Sequence, residues 1–129
     1  MPALHELDKA ECERLLRRET FGRVALVTPH GCEILPVNYA VHAGCIVIRT
    51  SPNGVLARHA DQADLVFQID LVDDHYWTGW SVVARGRGEI VSGASSTAAT
   101  VRPWADGDRS SELRLAWTEL TGRRVGGPR

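Results

Sequence analysis

A chain of 129 residues, 43% apolar and 24% charged, has the make-up of one globular domain with a core of its own. Its formal net charge of −1 argues against a nucleic-acid or membrane-surface protein, since those carry a basic excess or stripe. No apolar run approaches the roughly 18 residues of a membrane span and the first residues hold no apolar leader, while Cys12, Cys32 and Cys45, widely spaced and without a C-x-x-C pair, suit reduced thiols in a cytoplasmic protein.

The first predicted element is a helix that starts near Asp8. Asp8 can cap it, Glu11 can close a capping box, and Leu7 can staple against Cys12. Leu15 and Leu16 extend the apolar stripe, and Arg14, Arg17 and Arg18 form a solvated face suited to the helix C-terminus. Residues 23–28 (RVALVT) then read as a strand, 29–31 as a turn, and 32–42 (CEILPVNYAVH) as a second, longer strand. Pro36 lacks an N–H, so it marks an edge, a bulge or an open site.

Ala43-Gly44 turns the chain into a third strand, Cys45 to Ile48, which ends on Arg49-Thr50-Ser51. If His42 faces Cys45 across this hairpin, Asn38 faces Arg49 and Val37 faces Thr50. Ser51 and Pro52 read as the cap and first residue of a short helix containing Val55, Leu56, His59 and Ala60. A guanidinium and two hydroxyls beside the free N–H groups of a helix start suit an anion, phosphate first. A planar ligand with a phosphate tail fits along the strand pair. The plainer alternative is an edge strand blocked by proline, with Ser51 only capping and Arg49 paired to a surface carboxylate.

Residues 64–71 alternate as a strand, 72–79 form a polar and aromatic loop, and 80–91 form a long strand. Gly86 and Gly88 predict a bulge or bend there. Residues 93–99 are small and polar and lead to Val101-Arg102-Pro103-Trp104. Residues 112–120 alternate as a last strand, with a helix as rival, and a basic flexible tail is expected from about residue 122. Together these elements predict a single domain over residues 1–129, a small antiparallel barrel. The histidines have no metal-ligand spacing, so no metal site is expected. His75, Tyr76, Trp77 and Trp80 would stack on a substrate or pack at a dimer interface. Asp73 and Asp74 read as loop solvation.

Arg49-Thr50-Ser51, PVNY at 36–39 and GWSVVARG at 79–86 stand in order with FGRVALVT, DLVFQID and GRRV. In this the chain resembles the flavin-binding split β-barrel family, and within it the small bacterial branch related to pyridoxamine 5′-phosphate oxidase. The resemblance implies a mainly β fold, a six-stranded antiparallel split β-barrel with an N-terminal helix and one short helix after the third strand. It implies a homodimer with FMN at the subunit interface, a small-molecule substrate, and neither nucleic acid nor membrane as partner. Arg49, Thr50 and Ser51 would hold the phosphate, and Pro36, Val37, Asn38 and Tyr39 would line the isoalloxazine. Trp80 and Ser81 would reach the flavin from the second subunit, while Trp104 and Arg114 would close over it.

Two departures qualify the resemblance. Relatives commonly carry a lysine soon after the Arg-Thr pair, where this chain has Val55 or Leu56; Arg58, one turn on, is the candidate replacement. The oxidase's Arg-Leu-His is here Arg114-Leu115-Ala116, without the imidazole, which argues against pyridoxamine phosphate oxidation. The expectation is therefore an FMN-dependent oxidoreductase acting on a small organic acceptor. The alternatives are a deazaflavin-dependent reductase of the same fold, or a non-catalytic flavin- or haem-binding protein.

Overall fold

A computed structural model describes residues 3–92 and 110–126. The order is β1 (Leu4–Glu6), α1 (Lys9–Arg18), β2 (Phe21–Thr28), β3 (Gly31–Asn38), β4 (Ala40–His42), β5 (Cys45–Thr50), α2 (Val55–His59), β6 (Asp64–Asp73), β7 (Thr78–Ser92) and β8 (Ser111–Val125). The strands form one antiparallel sheet in the order β3-β2-β6-β7-β8-β5-β4, with β1 added to β8. The mainly β split barrel is present, with eight strands rather than six among the described residues.

The extra strands have separate causes. Leu4–Glu6 pairs with the end of β8, and the predicted second strand breaks at Tyr39 into β3 and β4. These two halves occupy opposite ends of the sheet, so the sheet curls round to meet itself at one residue. Tyr39 is what makes the switch: its ring is 3% exposed and meets Phe67 edge-on at 4.8 Å. Its hydroxyl donates to the Leu16 carbonyl at 2.7 Å and its amide to the Thr20 carbonyl at 3.0 Å. The hairpin register holds from His42↔Cys45 to Ala40↔Val47 and then stops. Asn38 and Val37 pair with Phe21 and Gly22 of β2, so the expected pairings with Arg49 and Thr50 are not formed.

Asp8 caps α1, accepting the Glu11 amide at 2.8 Å. Glu11 does not close the box: its carboxylate lies 2.5 Å from Arg14 and 3.6 Å from Arg124. The hydrogen bond from Arg14 holds that carboxyl below the ordinary carboxylate range. Cys12, Leu15 and Leu16 bury the helix stripe against Val24, Leu26, Ile46, Ile48, Phe67, Ile69, Leu113 and Leu115.

β7 and β8 slip register between Arg85 and Gly86, leaving Thr118 as the extra residue on β8. The bend therefore falls at the glycine pair, but the bulged residue belongs to the partner strand. A Cβ on Gly86 would strike the Ala116 carbonyl, so only glycine lets the strands cross there. The predicted flexible tail is instead strand: Arg123 to Val125 lie between β7 and β1, and Gly122 pairs with Val82. The predicted 72–79 loop shrinks to a turn at 74–77, where the Asp73 carboxylate accepts the His75 and Tyr76 amides at 3.1 and 3.3 Å. Residues 93–99 and Trp104, for which a small polar segment and a cofactor contact are expected, lie outside the described residues.

Candidate cofactor site

β5 runs through the core as Ile46, Val47 and Ile48 and leaves it at Arg49-Thr50-Ser51. Thr50 is buried, while Arg49 and Ser51 are half-buried. The helix does not start at Ser51. Gly54 caps α2, and residues 51–54 form a turn in which the Gly54 amide donates to the Ser51 carbonyl at 3.0 Å. The Ser51 hydroxyl accepts the Asn53 amide at 3.4 Å. The Asn53 and Gly54 amides are thus engaged within the turn, and α2 begins only after it. Arg58 stands on α2, its side chain exposed.

β8 supplies the floor. Arg49 is the cross-strand partner of Glu112, Thr50 of Ser111, and Val47 of Arg114. Register partners share a face, so Arg49, Glu112 and Arg114 stand together on the side opposite Leu113 and Leu115. Glu112 is fully buried, at 0% exposure, and accepts an ion-paired hydrogen bond from Arg114 Nε. Sequence reasoning missed Glu112. Its alternation with Leu113 was visible, but its burial and its seat beside Arg49 follow only from the β5–β8 pairing.

Pro36, Val37 and Asn38 lie on β3, which has one neighbour in the sheet, as the missing N–H of Pro36 requires. β3 and β5 approach each other without pairing, and the barrel is split there. The Tyr39 side chain fills the core, so only its main chain can face a ligand at the split.

Trp80 and Ser81 lie elsewhere. Trp80 pairs with Leu71 and Arg124 and sits 5.7 Å beneath the Arg18 guanidinium; Ser81 pairs with Asp70 and Arg123. On β8 the partner of Ser81 is Arg123 and the partner of Arg49 is Glu112, a strand path of about 35 Å at ~3.3 Å per residue. A single chain therefore gathers Arg49, Thr50 and Ser51 at the end of β5, with Thr50 on the core side of the sheet and Arg49 and Arg114 on the other, and leaves Trp80 and Ser81 at the far end of β8. There Ser81 and Arg123 line a cleft of about 610 Å³ with Asp70, Val72, Trp77 and Gly79. Tyr76 and Trp77 at the hairpin tip are exposed, as are Leu71 and Val72.

Among the described residues, no three His, Cys, Asp or Glu side chains gather to hold a metal ion, and no helix is long and apolar enough to cross a membrane.

A family model described as pyridoxamine 5′-phosphate oxidase matches residues 8–124. An uncharacterized protein of Mycobacterium tuberculosis is 31% identical over 128 residues, covering 93% of this chain and 84% of that protein. A solved Corynebacterium glutamicum protein, provisionally assigned as a pyridoxamine 5′-phosphate oxidase, superposes with a TM-score of 0.79 at 29% identity, covering 97% of this chain and all of the other. The FAD-binding protein of Mycobacterium smegmatis superposes with a TM-score of 0.74 at 26% identity, covering 95% of this chain and 98% of that one.

Proposed function

The chain belongs to the pyridoxamine 5′-phosphate oxidase family, and from that premise we propose that it is a homodimeric, FMN-dependent oxidoreductase reducing a small organic acceptor. The observation that carries this reading is the corner at the end of β5. A guanidinium and two hydroxyls stand there near β3, the end strand of the sheet, a donor set suited to phosphate next to a shelf suited to a flat ring.

Arg49, Thr50 and Ser51 would bind the phosphate, with Arg58 in place of the missing lysine. Pro36, Val37, Asn38 and the main chain of Tyr39 would line the ring. Bound flavin supplies the hydride or electron transfer itself, which leaves the chain to bind, orient and exclude water. Trp80 and Ser81 would come from a second copy, because in one protomer they lie at the wrong end of β8. Leu71, Val72, Tyr76 and Trp77 on the same hairpin, exposed in the single chain, would be covered in that dimer. Arg114-Leu115-Ala116 offers no imidazole for pyridoxamine phosphate, and Leu115 is spent in the core. A cytoplasmic site of action is part of the proposal, supported by the unpaired thiols of Cys12, Cys32 and Cys45.

The test is the absorbance spectrum of the purified protein, with mass analysis of the released ligand. Flavin bands and a mass of FMN are expected, bleached anaerobically by NADH or NADPH. A Soret band would replace the proposal with haem binding. Bleaching by reduced deazaflavin alone would move it to deazaflavin chemistry, and a flavin that no donor reduces would make the protein a carrier.

A further inference from the structure

We propose that Glu112 is a positioning residue, the buried anchor that holds Arg49 and Arg114 in the geometry an anionic ligand needs. The inference rests on the cofactor-corner reading above and adds a residue to it.

Glu112 is fully buried although it stands on the side of β8 opposite the core residues Leu113 and Leu115. A carboxylate removed from water in this way persists only when paired and hydrogen-bonded. Arg114, two residues on along the same face, donates Nε–H to it. Arg49 stands directly across the ladder, where opposed Cβ atoms are about 5 Å apart. One carboxylate thus shares a face with two arginines, hydrogen-bonded to Arg114 and across the ladder from Arg49, with Thr50 and Ser111 forming the next rung.

Each guanidinium carries five N–H donors in a rigid fork. A carboxylate can engage no more than two of them. It also restricts a long side chain that would otherwise lose its rotamer freedom on binding, so the ordering is done before the ligand arrives. Simple charge counting predicts the opposite: an anion near the site should repel phosphate, and removing it should tighten binding. Positioning prevails because the carboxylate is buried and already ion-paired to Arg114, which partly neutralises it.

The two effects have opposite signs in Glu112→Gln, which keeps the shape and removes the charge. FMN affinity, read by quenching of flavin fluorescence, is expected to fall at least tenfold; equal or tighter binding overturns the proposal. A second readout uses the ligand-free protein. In the wild type, the Nε–H resonances of Arg49 and Arg114 should exchange with water more slowly than that of exposed Arg17, and Glu112→Gln should remove the difference. Wild-type resonances at Arg49 and Arg114 that exchange as fast as Arg17 overturn the proposal, whether or not the variant folds. A wild type that binds no flavin would sink the flavin reading, and the exchange rates would still decide the role of Glu112.

Discussion

The Tyr39 hydroxyl donates to the main-chain carbonyl of Leu16 at 2.7 Å, and this bond ties the N-terminal helix to the point where the barrel closes on itself. β3 and β4 part company at Tyr39, so the residue fixes both which strand Asn38 pairs with and where the split opens.

Tyr39→Phe keeps the ring on Phe67 and removes the donor from a buried carbonyl. The expected loss is about 1–3 kcal/mol of unfolding free energy in urea titration, the range for stranding a buried acceptor. Tyr39→Ala also opens a cavity and should lose about 3–5 kcal/mol. Because the ring faces the core, flavin affinity should be unchanged in Tyr39→Phe. A stable Tyr39→Phe protein that no longer binds flavin would show that the hydroxyl, not the main chain, faces the cofactor.

The same burial gives a pH dependence. Desolvation raises the Tyr39 phenol well above its ordinary value, with Glu19 adding to the shift, and it raises the Cys12 thiol, with Asp8 and Glu11 adding. Both groups stay protonated in the folded state at pH values where the unfolded chain has released its protons. Their contribution is therefore whole below the unfolded values, about 8.5 for cysteine and 10 for tyrosine, and falls as pH rises above them. Urea midpoints should drop from about pH 9 upward, less steeply in Cys12→Ala and in Tyr39→Phe. A midpoint flat to pH 11 in the wild type would contradict both assignments.

Most of the barrel was legible because β2, β6, β7 and β8 bury mainly one face, which imposes a period of two on the sequence, while β5 is buried on both and shows as an unbroken apolar run. The break at Tyr39 was not legible, since PVNYAV alternates equally well as one strand or two; the partner that decides it, the Leu16 carbonyl, is remote in sequence. The end of β8 was misread because Arg123 and Arg124 mask the alternation where the strand carries β1 instead of core. Ser51-Pro52 carried a true capping signature, spent on the turn before Gly54 rather than on α2 itself. At the site, Arg49-Thr50-Ser51 could be read from the residues alone, whereas Glu112 needed the β5–β8 register.

Arg49 and Arg58 should differ as phosphate ligands. Arg49 is half-buried on a strand and braced by the β8 ladder, while Arg58 is exposed on a five-residue helix. Losing a hydrogen bond to a charged group costs about 1.5–3 kcal/mol, so Arg49→Ala should weaken FMN binding at least tenfold. Arg58→Ala should cost less, and its effect should fade in high salt because water screens an exposed pair. Calorimetric titration of both variants at two ionic strengths separates these roles. Equal losses that respond equally to salt would mean that Arg49 acts as a distant charge and not as a direct ligand.

The separation of Ser81 from Arg49 along β8 makes a stricter demand on the assembly. If each flavin is held by the Arg49 corner of one copy and the Ser81 strand of another, two defective chains can complement each other. Arg49→Ala removes the phosphate donor, and Ser81→Tyr puts bulk where the second copy would approach, so neither homodimer should hold flavin. After joint unfolding and refolding at equal amounts, about half the dimers should be mixed. In a two-fold dimer each mixed pair carries one site with both defects and one with neither, so about a quarter of all sites should recover flavin. Recovery near that level would mean that the site spans two copies. Absence of recovery from a mixture shown by mass spectrometry to contain heterodimers would place Ser81 and Arg49 in unrelated roles, and Trp80 and Ser81 would leave the cofactor site.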